Sequence, residues 1–243
     1  MKISLSIPVK NEIEGIKVIM PRIKKEWVDE IVIVDGNSTD GTREWLEERG
    51  YKVIPQTLPG AIGGYWQSIT AATGDIVILF SPDGNSIPEL IPALIEKMKE
   101  GYDMVAVSRY KDAAKSRDDF ALSALGNRLF TGMVNLLFGV RYTDVLVIFR
   151  GFRRELLTKF GFDETTGRAF NKSNTSMFEL LLSVECARRG LKVADIPGDE
   201  PPRIGDVGGS RLFPHFKDRV YGGLAILYYI VRGRFTRVPR EKK

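Results

Sequence analysis

The chain has 243 residues, 43% of them hydrophobic, so it can bury the core of one large α/β domain and does not have the composition of a disordered protein. Its 36 Lys and Arg against 31 Asp and Glu leave a formal charge of +5, which suggests an anionic partner without requiring nucleic acid. The single cysteine excludes an intrachain disulfide, and the single histidine argues against a histidine-rich metal site or a Ser-His-Asp triad. With no signal peptide and no apolar run of about 18 residues, we expect a cytoplasmic protein that does not span a membrane.

Apolar strands alternate with helices and short polar turns in the first half of the chain. Strands are predicted over residues 3–9, 29–35, 52–56, 76–80 and 103–108. Helices are predicted from residue 10 to about 25 and over 43–49, 65–72 and about 88–100, the last opened by Ser86 and Glu89 at the spacing of a capping box. This order predicts a mostly parallel, Rossmann-like sheet with helices on both faces.

The second half of the chain has a different pattern. After a charged loop over residues 111–119, a long helix is predicted over 120–140, with apolar residues on more than one stripe. A helix is predicted over 176–189, a strand over 191–196, and a loop rich in Pro, Gly and charge over 197–209. The apolar segment 220–231 is too short to cross a bilayer, and a basic end follows it.

Oxygen-bearing side chains stand at alternating positions directly after the buried strand 76–80. They are Ser81, Asp83 and Asn85. In open α/β sheets ligands bind at this edge, and such oxygens suit Mg²⁺ or Mn²⁺ bound to a diphosphate. The alternative is a turn that needs these residues for backbone reasons alone.

The ends of other predicted strands meet at the same edge. Asn11 and Glu12 follow the first strand, Asp35 ends the second, and Arg109 follows the fifth. Asp35 is a natural anchor for a nucleoside, whereas Asp40 in the next turn is expected only to cap a helix. Neither a GxGxxG turn nor a P-loop is present, so we expect a metal and arginines to bind the phosphates.

A set of short motifs then resembles a known family. They are SIPVKNE (6–12), VDGNSTDGT (34–42), SPDGN (81–85), VSRY (107–110), Asp144 with FRGF (149–152), and Arg203 with GGSR (208–211). In this order and spacing they resemble the family 2 glycosyltransferases of GT-A fold, and among these the dolichyl- or polyprenyl-phosphate hexose (mannose or glucose) synthases. The resemblance covers roughly residues 3–212 and implies a glycosyltransferase domain over 1–212. The apolar and basic pattern of the residues that follow predicts an amphipathic, basic segment with an interfacial helix over 213–243.

The resemblance assigns roles to residues one by one. Those implied for the nucleoside site are Pro8, Asn11, Glu12 and Asp35. The metal positions are Ser81, Asp83 and Asn85, and the acceptor-phosphate positions are Arg109 and Ser123. A late loop that closes on phosphate holds Arg203, Ser210 and Arg211, and further active-site positions are Asp144, Arg150 and Glu179.

At several positions the chain lacks a charged residue that the family pattern has. Ser81 stands where the metal motif usually begins with Asp, and Gly36 replaces a carboxylate after the second strand. The arginine expected four residues before Ser123 is Asp119, and Arg117 of the same loop is a candidate substitute. These changes put metal affinity and acceptor binding in question.

The expected activity is transfer of a hexose, with inversion, from a nucleotide sugar of GDP-mannose or UDP-glucose type to a polyprenyl or dolichyl phosphate. A phosphate monoester is largely dianionic near neutral pH and attacks without a general base. The catalytic groups are then Asp83, Arg109, Arg203 and Asp144, the last orienting the sugar or acting as a base if the acceptor is a hydroxyl. The alternatives are a soluble or glycan hydroxyl acceptor and a non-catalytic nucleotide-sugar-binding protein.

Two apolar segments followed by basic residues favour a membrane surface as a further partner. The segments 120–140 and 220–231 could lie on the cytoplasmic membrane face, with the basic end meeting anionic headgroups. The alternative is that both segments pack on the domain and the basic end is solvated.

Overall fold

The structure is a computed structural model that describes residues 1–118, 121–162, 178–205 and 216–236. Its strands are β1 (Ile3–Val9), β2 (Glu30–Asp35), β3 (Val53–Pro55), β4 (Ile76–Leu79), β5 (Met104–Ser108), β6 (Arg150–Arg153) and β7 (Val193–Pro197). They form one seven-stranded sheet in the order β3-β2-β1-β4-β6-β5-β7. Only β6 runs antiparallel to its neighbours, β4 and β5. The predicted mostly parallel sheet is confirmed.

Helices cover both faces of the sheet. They are α1 (Ile13–Ile19), α2 (Thr42–Glu48), α3 (Gly60–Ala71), α4 (Ile91–Lys99), α5 (Ala121–Phe138), α6 (Glu155–Lys159), α7 (Phe178–Arg189) and α8 (Phe216–Phe235). Short 3-10 turns occupy Met20–Arg22, Lys25–Trp27 and Pro88–Leu90. One core lies between the sheet and helices α1, α2 and α4. The other core lies on the opposite face of the sheet, under α3, α5, α6, α7 and α8.

The central strand β4 divides its side chains between these two cores. Ile76 and Ile78 belong to the core under α1, α2 and α4, whereas Val77 and Leu79 belong to the opposite one. All four side chains are fully buried. A strand with helices on both faces needs apolar residues at every position, which explains the continuous apolar run.

Several predicted elements differ from the structure. Helix α1 ends at Ile19 rather than near residue 25, because Pro21 lacks an amide donor and a 3-10 turn follows. The capping box is wrong: Ser86 donates its hydroxyl proton to Asn85 (3.4 Å), and Glu89 pairs with Arg22 (2.7 Å). Strand β6 and helix α6 were not predicted, since each is too short to show a period.

The C-terminal helix α8 packs against α5 and α7. Its Ile230 is fully buried, so the segment is partly integrated into the fold. Helices α5 and α8 nevertheless leave a row of large side chains exposed, which we call the apolar face: Leu122, Leu125, Leu129, Leu136, Tyr221, Leu224, Tyr228 and Phe235. Within the described residues, no helix combines the length and the hydropathy needed to cross a membrane.

Candidate active site

The turn after β4 is hydrogen-bonded to the loop that follows β7 and packs against it. The amide of Ile204 donates to the carbonyl oxygen of Asp83 at 2.7 Å. Gly84 has φ +95°, and a Cβ there would lie 2.6 Å from Cγ1 of Ile204, so only glycine fits this position. The predicted metal turn and the predicted late phosphate loop are therefore in direct contact.

The carboxylate of Asp83 is 8% exposed and faces Arg203. Its Oδ2 lies 3.5 Å from Nε of Arg203, and its Oδ1 accepts a hydrogen bond from the amide of Asn85 at 3.3 Å. Burial raises the pKa of Asp83, although Arg203 and a hydrogen bond from Ser81 oppose the shift. Asp83 is thus a carboxylate held in a place where a cation would stabilise its charge.

Arg203 also pairs with a residue that the sequence interpretation missed. Its Nε donates to Oδ2 of Asp118 at 3.0 Å, so the guanidinium lies between two carboxylates, those of Asp83 and Asp118. Asp118 belongs to the charged loop predicted over 111–119, and no spacing in that loop distinguishes it from its acidic neighbours. Only the fold brings it opposite Arg203.

The donor atoms around Asp83 fit a hard cation that arrives together with a diphosphate. In the described part of the chain, no group of three His, Cys, Asp or Glu side chains could hold a metal by itself. Mg²⁺ commonly needs only one or two carboxylates when substrate phosphates complete its coordination. The carboxylate of Asp83, with the nearby oxygens of Ser81 and Asn85, meets that requirement.

Arg109, at the end of β5, is fixed by Asp144. The Nε and Nη2 atoms of Arg109 donate to the two carboxylate oxygens of Asp144 at 2.7 and 3.1 Å. Asp144 is 1% exposed and also accepts hydrogen bonds from Asn127 (2.7 Å) and from the amide of Leu146 (3.2 Å). Burial alone would raise the pKa of Asp144, but the paired Arg109 outweighs it, and the pKa lies below its usual value. This bidentate geometry orients the guanidinium.

A cavity of about 150 Å³ lies between the two arginines. Its lining includes Asn85, Arg109, Glu200, Arg203, Leu146 and Phe149. Glu200 of this lining joins its loop to the charged loop: the amide of Arg117 donates to the carbonyl of Glu200 at 2.8 Å, and the amide of Glu200 donates to the carbonyl of Lys115 at 3.0 Å. The side chain of Arg117 is exposed. The cavity combines fixed cations with a partly apolar wall.

The predicted nucleoside residues lie together at the ends of β1 and β2. Asn11, in a left-handed conformation (φ +54°), accepts a hydrogen bond from the amide of Thr39 at 2.8 Å. Asp35 is buried and accepts from the amide of Ser38 at 3.2 Å. The amide of Glu12 donates to Oγ1 of Thr42 at 2.9 Å, and Pro8 is half-buried.

The turn that follows β2 is held by Asp40. Its carboxylate accepts from the amides of Ile13 (3.1 Å) and Thr42 (3.0 Å), the first residues of α1 and α2. Asp40 therefore binds the first amides of both helices, although the N-cap residue of α2 is Gly41. It also joins the two helices whose N-termini border the predicted nucleoside site.

Three further predicted site residues, Arg150, Glu179 and Ser123, do not line the cavity. Arg150 is fully buried, and it donates to the carbonyls of Val147 (2.9 Å) and Glu179 (2.8 Å) and to the hydroxyl of Ser183 (2.8 Å). Burial lowers the pKa of Arg150 and raises that of the buried Glu179. Ser123 is half-buried near the start of α5. Ser210 and Arg211 lie outside the described residues.

Comparison with known proteins places this geometry in a family. The sequence matches the model described as Glycosyl transferase family 2 over residues 4–161. The glycosyltransferase AglJ of Haloferax volcanii is 29% identical over 209 residues, which are 81% of this chain and 62% of that protein. The dolichyl-phosphate hexose transferase of the same organism is 29% identical over 177 residues, 73% of this chain and 72% of that protein. The chain thus spans less than two thirds of AglJ.

A solved structure confirms the fold. Glucosyl-3-phosphoglycerate synthase from Mycobacterium tuberculosis, in complex with Mn²⁺, UDP-glucose and phosphoglyceric acid, superposes with a TM-score of 0.68. The two proteins are 20% identical, and the similarity covers 98% of this chain and 81% of the other. As the sequence motifs predicted, the chain belongs to glycosyl transferase family 2 and has a GT-A fold.

Proposed function

We propose that this protein is a metal-assisted, inverting glycosyltransferase that moves a hexose from a nucleotide sugar to the phosphate of a polyprenyl lipid. The observation that carries the proposal is the cavity between Arg109 and Arg203, next to the single carboxylate of Asp83. Such a cavity suits two phosphate groups, one entering and one leaving. The similarity to a dolichyl-phosphate hexose transferase supports a lipid phosphate as the acceptor.

The donor would bind along the ends of β1, β2 and β4. Asp35 with Asn11, Glu12 and Pro8 would hold the nucleoside of a GDP- or UDP-linked hexose. Asp83, with Ser81 and Asn85, would hold Mg²⁺ or Mn²⁺, and the bound cation neutralises charge on the diphosphate. The M. tuberculosis synthase, crystallised with Mn²⁺ and UDP-glucose, supports a divalent cation in this fold. Arg203 would then exchange its carboxylate partners for the departing diphosphate.

The chemical step needs positioning rather than proton transfer. An oxygen of the acceptor phosphate forms the new bond to the anomeric carbon, while the bond from that carbon to the diphosphate breaks and nucleoside diphosphate leaves. A phosphate monoester with a second pKa near 6 is already ionised at neutral pH, so no base is required. Arg109, oriented by Asp144, would hold this phosphate in line for displacement. We therefore assign Asp144 to positioning Arg109 rather than to the sugar.

A donor and acceptor panel tests this function. Purified protein is incubated with Mg²⁺ or Mn²⁺, each of several UDP- and GDP-sugars, and a short polyprenyl phosphate in detergent. Release of nucleoside diphosphate together with a lipid-linked sugar is the expected result. Transfer to glycerol or a sugar hydroxyl, without a lipid product, would show that the acceptor is a hydroxyl and not a lipid phosphate. No interaction with any donor would show that the protein is not a glycosyltransferase in this assay.

We further propose that the apolar face of α5 and α8 rests on the cytoplasmic surface of a membrane. Arg232 and Arg234 lie in the last turn of α8, close in sequence to Phe235 of the apolar face, and this combination of apolar and basic side chains is typical of interfacial helices. The polyprenyl acceptor would be reached at that surface. Scattered single apolar residues are common on protein surfaces, whereas these eight are concentrated on two helices that pack against each other.

Two exposed leucines offer a test of this surface. The double variant Leu136→Gln, Leu224→Gln is expected to bind anionic vesicles roughly tenfold more weakly, because each leucine buries apolar area in the interface. Both side chains are exposed, so the melting temperature should not change. The matched control is Val18→Gln on α1, which lies on the opposite face of the sheet. Vesicle sedimentation measures the binding. Equal binding by the double variant and by Val18→Gln would contradict the assignment of the apolar face to the membrane.

A further inference from the structure

One tyrosine lies next to two arginines at the edge of the cavity. The Cζ atom of Arg109 is 5.3 Å from the centre of the Tyr110 ring, and that of Arg128 is 5.8 Å from the same ring. Arg109 lines the cavity, whereas Arg128 is exposed on α5. Tyr110 therefore connects a cation inside the cavity with a cation outside it.

Arg128 also lies at the border between the polar interior and the apolar face. Its predecessor Asn127 is buried and donates to Asp144. One residue further along a helix turns by about 100°, which takes Arg128 out of the interior. Leu125 and Leu129, on the outer side of the same helix, are 63% and 62% exposed. A phosphate bound at Arg128 would have apolar surface directly beside it.

The charge balance of the cavity leaves a need for such a cation. Arg109 is paired with Asp144 at 2.7 Å and lies 3.4 Å from Glu200, so its charge is already compensated. The family pattern expects an arginine four residues before Ser123, but Asp119 stands there. Within the described ranges, Arg128 has no carboxylate at ion-pair distance. Its planar guanidinium suits bidentate binding of a phosphate.

From this geometry we infer that Arg128 is an entry site for the phosphate monoester of a polyprenyl lipid, and this inference rests on the proposed function. The lipid chain lies on Leu125 and Leu129, its phosphate binds Arg128, and the phosphate then moves past Tyr110 to Arg109. Arg128 is a binding residue for the acceptor and has no part in donor binding.

The first experiment measures binding without catalysis. Sedimentation with vesicles compares wild type, Arg128→Gln and the control Arg141→Gln, which removes an exposed arginine shortly after α5. The vesicles are pure phosphatidylcholine, phosphatidylcholine with polyprenyl phosphate, and phosphatidylcholine with phosphatidylglycerol at the same charge. Polyprenyl phosphate should raise the vesicle affinity of wild type, and Arg128→Gln is expected to reduce this increase at least about fivefold, which is the effect of one charge-assisted contact. Arg141→Gln should show the same increase as wild type. Equal losses on phosphatidylglycerol would overturn the proposal, because they indicate unspecific headgroup attraction.

The second experiment separates Arg128 from the proposed function. In the transfer assay, Arg128→Gln should raise the KM for the lipid acceptor and leave the KM for the donor unchanged. If wild type makes the lipid product and Arg128→Gln behaves like Arg141→Gln, the entry site is wrong and the function stands. If wild type neither prefers polyprenyl phosphate in vesicles nor transfers sugar to it, both proposals are wrong.

Discussion

The Asp83→Asn variant is expected to lose transfer activity by 10²-fold or more, on the order of the effect of removing one preorganised electrostatic group, while folding at least as stably as wild type. Burial raises the pKa of Asp83 above its unfolded value, so its ionised form costs stability at neutral pH. The uncharged amide removes this cost but binds a divalent cation poorly. Function and stability should therefore change in opposite directions.

Activity with Mn²⁺, Mn²⁺ binding followed by electron paramagnetic resonance, and urea denaturation check this result. A group with a raised pKa contributes stability below its unfolded value and loses it as the pH rises through the folded value. The stability advantage of Asp83→Asn should accordingly be present at neutral pH and disappear below about pH 4. The control is Asp118→Asn, which removes the other carboxylate next to Arg203. An equal loss of Mn²⁺ binding in both variants would contradict the assignment of the metal to Asp83.

The Asp144→Ala variant is expected to lose both stability and activity. Removal of the Asp144 carboxylate leaves the largely buried Arg109 without its bidentate partner. Breaking a buried ion pair in this way typically costs about 3–5 kcal/mol of stability. The pKa of Asp144 lies below its usual value, so its contribution is present above the unfolded pKa and is lost as the pH falls through the folded one. The difference in unfolding free energy between wild type and variant should thus narrow in acid.

A double variant distinguishes positioning from direct chemistry. Arg109→Met with Asp144→Leu removes both charges and should recover much of the lost stability without recovering activity. Denaturation curves and initial rates of nucleoside diphosphate release measure the two effects. If Asp144→Asn folds as stably as wild type but loses activity with a changed pH profile, Asp144 acts on the substrate itself.

The central strands were predictable because β1, β4 and β5 are buried on both faces. Residues 3–9 match β1 fully, and the continuous apolar run at 76–80 differs from β4 by one residue. Strand β6 was not predictable in this way. Its Gly151 packs under α4, where a Cβ would lie 2.5 Å from Leu94, and this close approach depends on the tertiary fold rather than on a local pattern.

The candidate site was predictable where it sits at strand ends, and less so elsewhere. Asn85 and Arg109 line one cavity as expected, because strand ends bring their following residues to one edge, whereas Arg203, which pairs with Asp83, was expected only from the family motif. Arg150 is a charged residue whose motif suggested an active-site role, yet its donors are used by core carbonyls. The polar Asn127 within the largely apolar α5 was an available signal, since a buried amide there needs a partner.

The antiparallel strand β6 has a consequence for the order in which the protein can fold. Val77 in β4 pairs with Phe152, and Ala106 in β5 pairs with Arg150, so the two strands that end at the cavity have no direct hydrogen bonds to each other. During synthesis both strands leave the ribosome before the segment that separates them. Contacts over such long sequence distances form slowly. The nascent chain therefore exposes one edge of β4 and both edges of β5 until residue 153 has emerged, and this interval is when it depends most on chaperones.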